Sequence, residues 1–395
     1  MKALYLAAAV VGISCAGHSS VPIPVRLPAG TADSLAVALR VDSSQHEIII
    51  DAGPFDVPAM APMAMGGHGM QDMDMDMGGG GSMSMGMHHI PTKLLRFNWP
   101  VNGWLRGYRL IAVDAEGHVL PSTLLHHVIG VNFERRQLIY DALERPFAVG
   151  SETGEVKLPK TIALPLTKGD HMGMWGAWHN ETGKNLHNVY LRAILYWTPA
   201  TTKHHPIAVL PFYADVNYKY GADNAFDLPP GHSVWQHDFT QPIGGLLLGI
   251  GGHLHDYGVS VSLEDAETGD TLVTLDAQKD STGHVTGVGR KLFPIRGLRL
   301  KAGHRYRIVG VYDNPLPDTI KLGAMAHMVG VFAPDDPSQW PAIDRDDANF
   351  QKDVAGIPPL GATAVVLSLD AGIPAERGTL SSSLNSTRQG TGQPR

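Results

Sequence analysis

Asn188-Val-Tyr-Leu-Arg-Ala-Ile-Leu-Tyr-Trp197 decides the fold. Apolar and polar or mixed side chains alternate along it, and it is rich in aromatic and β-branched residues, as on a pleated strand with one face in a core. It follows the turn signal Glu181-Thr-Gly-Lys184 and gives way to a Pro-containing stretch from Thr198 to Pro211. Similar segments recur at Arg106–Val113, Gly258–Glu264 and Gly303–Asp313, with weaker ones at Leu35–Val41 and His46–Asp51. Turns such as Asp114-Ala-Glu-Gly117 and Glu267-Thr-Gly-Asp270 separate them. No segment carries a long helical apolar stripe. The pattern predicts an all-β protein of two tandem antiparallel β-sandwich (jelly-roll-like) domains, residues 35–200 and 205–335, with the seam near 198–211. Beyond Pro334 strand signals thin out, and residues 336–395 read as an extended tail, Ser/Thr/Gly/Gln-rich and disordered from Gly378.

Composition narrows the function. The 395 residues carry a net charge of -7 and no useful basic run, which argues against a nucleic-acid partner. Twenty histidines and fifteen methionines stand out, and both are ligands for copper. Ten of those methionines fall in a low-complexity insert, residues 60–89. It includes Met70, Met73, Met75, Met77, Met83, Met85, Met87, His88 and His89. Lacking aliphatics, this stretch cannot build a core, and its thioethers, imidazoles and carboxylates suit copper capture.

At the start, Lys2 precedes an apolar run that ends at Cys15. Residues 1–18 read as a lipoprotein-type signal segment cleaved before Cys15, which predicts an exported protein lipid-anchored in a bacterial envelope. Cys15 is the single cysteine, so a metal must be held by His, Met or carboxylate.

Four segments carry the candidate chemistry. Leu124-Leu-His126-His127-Val-Ile-Gly130 puts two adjacent histidines in a strand pattern, where neighbours point to opposite faces. They can share one ion only at a strand end or a bulge. His179 closes Met172-Gly-Met-Trp-Gly-Ala-Trp178 just before a turn. Gly251-Gly252-His253-Leu-His255-Asp256-Tyr-Gly258 places two imidazoles on one strand face, with Asp256 a candidate to orient them. Gly323-Ala-Met325-Ala-His327-Met328 offers a thioether and, two residues on, another imidazole on the same face; such a methionine is otherwise ordinary core filler.

In this order the segments resemble the copper type II, ascorbate-dependent monooxygenases, the family of peptidylglycine α-hydroxylating and dopamine β-monooxygenases. The resemblance spans about residues 94–334. It implies two sandwiches facing across an open cleft and two mononuclear copper sites. His126, His127 and His179 would hold the electron-transfer copper. His253, His255 and Met325 would hold the catalytic one, where dioxygen, with electrons from ascorbate or a similar one-electron donor, hydroxylates a C–H bond of a small substrate. The chain departs from peptide-hydroxylating members at Gly251, where they carry a substrate-gripping arginine, and at His327 and Val329, where they carry asparagine and tyrosine. A peptide ending in glycine is therefore not the expected substrate. The other reading from the same residues is a non-catalytic envelope lipoprotein that binds and traffics copper.

Overall fold

The computed structural model describes residues 22–28, 35–60, 90–150, 153–293 and 296–368. The signal segment, Cys15 and the methionine- and histidine-bearing positions of the insert from residue 61 onward lie outside them. The described chain is all-β: two sandwiches joined in tandem, built from antiparallel meanders with three short parallel additions.

The first sandwich packs an eight-stranded sheet against a seven-stranded one. The long strand Leu186–Pro199 lies centrally in the larger sheet, between Gly103–Val113 and Glu47–Val57. Its alternation is the core pattern: Leu191, Ala193 and Leu195 face inward with Ile48, Ile50 and Ala52 of the neighbouring strand. The smaller sheet contributes Leu95, Phe97, Val128, Met172 and Met174. The three turn signals read from the sequence each place a glycine at positive φ: Gly117, Gly183 and Gly269 at 87°, 71° and 82°. Such φ values favour glycine, which has no Cβ to clash.

The second sandwich packs Gly245–Leu254, Ala326–Pro334 and Leu210–Asp215 against a sheet containing Gly231–Thr240, Arg305–Asn314 and Gly258–Asp265. Its core holds Phe212, Ile250, Leu254, Val261, Ile308, Met328 and Phe332. Within the seam region the chain passes directly from one sandwich to the other. Ile207–Ala208 pairs with the first sandwich, Val209 is fully buried, and Leu210 opens a strand of the second.

The segment beyond residue 336 is not an extended tail over its described length. It turns back to the first sandwich through the helix Ala348–Ala355, then adds Leu360–Thr363 and Val365–Ser368 as parallel edge strands, one to each sheet. The helix starts where the Asp347 side chain accepts from Asn349 N and Phe350 N, and it buries Phe350 against Leu94, Val131 and Trp175. Asp353 then accepts from Leu143 N at 2.9 Å and pairs with Arg145 at 3.0 Å. Thin strand signals reflect short edge strands that need only one partner. Residues 369–395 lie outside the described residues.

A histidine cluster where the two sandwiches meet

His126 and His127 sit near the start of the strand Leu125–Arg136, which pairs with His171–Trp178. Ala177 faces His127 and Trp178 faces Leu125, leaving His126 as the extra residue of a β-bulge. Leu125 and Val128 both point into the core although they lie three apart, impossible on a regular strand. The bulge thus releases both histidines from the core side, and their ring centroids are 5.0 Å apart. His179 follows the partner strand, its N–H donating to Leu124 O at 2.9 Å, and its ring lies 6.3 Å from that of His126. The turn after it is held by the fully buried Asn180, whose amide donates to Val57 O and Lys184 O. His179 Nε2 lies 2.9 Å from Glu181 Oε1.

The second group stands on the face of its sheet opposite the core. Asp215, His327 and His253 are direct cross-strand neighbours on three adjacent strands, so their side chains form one row. The His253 and His327 rings stack at 4.8 Å, and His253 lies 5.2 Å from His255. At the row's end Asp215 is fully buried and accepts from Tyr213 Oη at 2.5 Å, Asn217 N at 2.8 Å and Asn224 Nδ2 at 2.9 Å. His327 Nδ1 is 3.8 Å from its carboxylate. Burial pushes the Asp215 carboxyl up to about 6, against the pull of its hydrogen bonds and of His253.

Met325 falls between two strands and meets the group through its backbone. Its carbonyl accepts from His255 N at 3.3 Å and from Tyr312 Oη at 2.5 Å. It therefore neighbours His255, while His327 is the residue stacked on His253. Asp256, expected to orient the His253–His255 pair, faces elsewhere. Its carboxylate accepts from Val285 N at 3.0 Å and lies 2.9 Å from His284 Nδ1, because the turn at Tyr257 (φ 63°) sends it toward the neighbouring hairpin. Gly251 is open above: a Cβ there would meet Arg290 Cγ at 3.5 Å, and Arg290 is its cross-strand partner. The Arg290 guanidinium itself reaches away from Gly251 to donate to Thr153 O.

The two groups are not separated by an open cleft. The His126 and His255 rings, from different sandwiches, lie 6.3 Å apart. The sandwiches are held together by the loop that follows the Leu125–Arg136 strand. It inserts Leu138 into the second core and stacks Tyr140 on Tyr218 at 3.7 Å. An imidazole nitrogen sits about 2 Å from a bound transition metal, so ring centroids roughly 4–6 Å apart suit ligands of one ion. Neighbouring rings here lie 4.8–6.3 Å apart, and imidazole is a ligand type that copper takes; Met325 borders the group through its backbone. Sequence reasoning missed Asp215, Tyr213 and Glu181. Tyr213-Ala-Asp215 shows an alternating signal, but only the strand register aligns it with His327.

Other histidines make local contacts: His171 with Glu134, His187 with Asp56 and His232 with Asp313, all exposed. Asp114, Glu116 and His118 also lie together in a surface turn, where His118 Nδ1 is 2.9 Å from Asp114.

Fold and site together define a protein of two tandem β-sandwiches with a histidine cluster at their junction. No family model matches the chain, and no curated protein matches it. Solved structures with some likeness include that of the Sulfolobus turreted icosahedral virus, at 11% identity and TM-score 0.31, covering 68% of this chain and 91% of that one. Another is that of broad bean stain virus, at 8% identity and TM-score 0.27, covering 68% and 94%.

Proposed function

We propose that this chain is a copper-dependent monooxygenase of the ascorbate-dependent kind, hydroxylating a C–H bond of a small substrate with dioxygen. The observation that supports it is the convergence of His126, His127 and His179 with His253, His255 and His327. All three members of this second set were read from the sequence, His327 as a possible additional ligand, and the Met325 backbone borders it. In this reading the protein is exported and held to the envelope through Cys15, and the insert around residues 60–89 gathers copper for the fixed sites. Among the described residues no helix is long and apolar enough to cross a membrane.

Bound copper would supply one-electron redox chemistry and the site of dioxygen reduction. The chain's own residues have separate tasks. The bulge presents His126 and His127 together, Glu181 orients His179, and the buried Asp215 carboxylate stands 3.8 Å from His327 Nδ1. Each turnover takes two electrons from one-electron donors and two protons, placing one oxygen atom in the product and one in water.

The test compares the full chain with a variant lacking residues 61–89. Two coppers per chain should remain after the deletion, with ascorbate-dependent oxygen uptake in the presence of a substrate panel. A second reading, copper storage or delivery, is favoured by the short distance between the two groups, which leaves no wide cleft between them. It gains if the deletion strips most of the copper, or if copper stays and oxygen uptake is absent.

The Met325 thioether and the His327 imidazole can be told apart. His327→Ala should lower copper content by about one ion and weaken retention by 10-fold or more, a typical cost of losing a ligand or its support. Met325→Ile should keep the copper while depressing oxygen uptake. Equal copper loss in both would remove the distinction drawn between them.

A further inference from the structure

We propose that a hollow on the first sandwich binds a small monocarboxylate with an apolar body, and that its filling is felt at His126, His127 and His179. This goes beyond the copper reading and requires no metal. The hollow measures about 490 Å³, and its apolar lining comes from Leu35, Pro54, Phe55, Ile90, Pro91 and Trp178. The rings of Phe55 and Trp178 lie 5.2 Å apart within it. That volume and a largely apolar, partly aromatic wall carrying few polar groups are the features of a small-molecule site.

The polar groups of the lining select the head group. Trp178 is 1% exposed, and its Nε1–H has no hydrogen-bond partner. A buried donor left unpaired is costly, so an acceptor carried in by a ligand gains more there than at an open surface. Lys93, at the rim, is exposed and makes no ion pair among the described residues. The remaining polar side chains are already engaged. Thr92 Oγ1 donates to Lys93 O at 3.1 Å and accepts from Gly176 N at 3.0 Å, and the Asp56 carboxylate lies 2.8 Å from His187 Nδ1. The two groups left over are both donors, one of them cationic, and an anionic acceptor on an apolar body matches them. The wall of the hollow is also the back of the histidine bulge. Ile90 and Pro91 pair with Trp178 and Ala177 along one edge of their strand. Along the other edge, Trp178 faces Leu125 and Ala177 faces His127, with His126 bulged out between. His179 follows Trp178 directly. A ligand that shifts the Trp178 ring therefore acts on the backbone that holds three of the junction imidazoles.

The experiment uses the full chain, labelled with nitrogen-15 and without added metal, followed by nuclear magnetic resonance. The probes are phenylacetate, benzyl alcohol and benzylamine, which share a benzyl body and differ in head-group charge. Phenylacetate should shift the Trp178 indole N–H signal saturably, and the imidazole signals of His126, His127 and His179 with it, while the neutral and cationic probes bind more weakly. Lys93→Met should weaken phenylacetate roughly 2- to 5-fold, the worth of an exposed ion pair, and leave benzyl alcohol unchanged. No shift at Trp178 with any probe would overturn the site. Equal binding of all three probes would overturn the choice of a carboxylate. A shift at Trp178 with the three histidines unmoved would overturn the link to the junction. The comparison of probes on the unaltered chain decides the matter even if Lys93→Met does not fold, and none of these outcomes bears on whether the chain takes up copper.

Discussion

Asp51→Ala should destabilise the first sandwich by about 3–5 kcal/mol, the cost of leaving buried charges without their partner. Asp51 is fully buried on the sheet face opposite the main core. Its carboxylate takes Arg40 at 2.6 Å and Arg192 through two bonds, at 2.6 and 3.0 Å. Both guanidiniums are almost completely buried, at 2% and 4% exposure. Arg192 also donates to Ile23 O at 2.7 Å, which ties the segment 22–28 over the face. Burial pulls Arg40 below its ordinary value, and only the Asp51 charge and hydrogen bond counter it. Without that carboxylate, two cations face each other in a dry layer. The check is chemical denaturation followed by circular dichroism, with the transition moving to much lower denaturant. Replacing all three by apolar residues of similar size should recover most of the loss, because desolvation then has no charges to act on. A loss under about 1 kcal/mol for Asp51→Ala would show that water reaches the triad and that the face is not dry.

Tyr140→Ala should cost about 3–5 kcal/mol, the range for truncating a large buried aromatic. It should also separate the unfolding of the two sandwiches. The ring is 5% exposed and stacks on Tyr218 with planes only 7° apart. Its hydroxyl donates to Asp215 O at 3.3 Å and accepts from Asp215 N at 2.9 Å. Burial pushes the phenol well above its ordinary range, so it stays a neutral donor at any physiological pH. The side chain is thus a peg from one sandwich into the other, placed against the residue that ends the histidine row. Tyr140→Phe keeps the stack and removes the hydroxyl, leaving Asp215 N without this acceptor at a cost of about 1–3 kcal/mol. Scanning calorimetry should show one transition for the parent chain and two for Tyr140→Ala. A single transition in both would mean that the sandwiches are coupled through other contacts.

Much of the fold was legible because it is written locally. The alternation in Asn188–Trp197, the turn glycines and the histidine pair lodged between apolar neighbours each reflect a few consecutive residues. The adjacent histidines even carried their own condition, a bulge or strand end, and the bulge is there. The helix Ala348–Ala355 and the short parallel strands after it were not legible. Their apolar content is small, and their stability comes from docking on sheets laid down far earlier in the chain. Asp256 misled for a similar reason: proximity to His255 in sequence says nothing of where a turn aims the next side chain.

What the sequence by itself determined is the set of strands, their inward faces and the residue types able to hold copper, since these follow from periodicity and side-chain chemistry. Only the tertiary structure decided which of those residues meet. The alignment of Asp215 with His327 and His253 depends on the register of three strands distant in sequence. The 6.3 Å approach of His126 to His255 depends on how two separate cores dock. Both are set by burial across long loops, where a shift of one residue would turn each ring to the other face, and no short stretch of sequence records that choice.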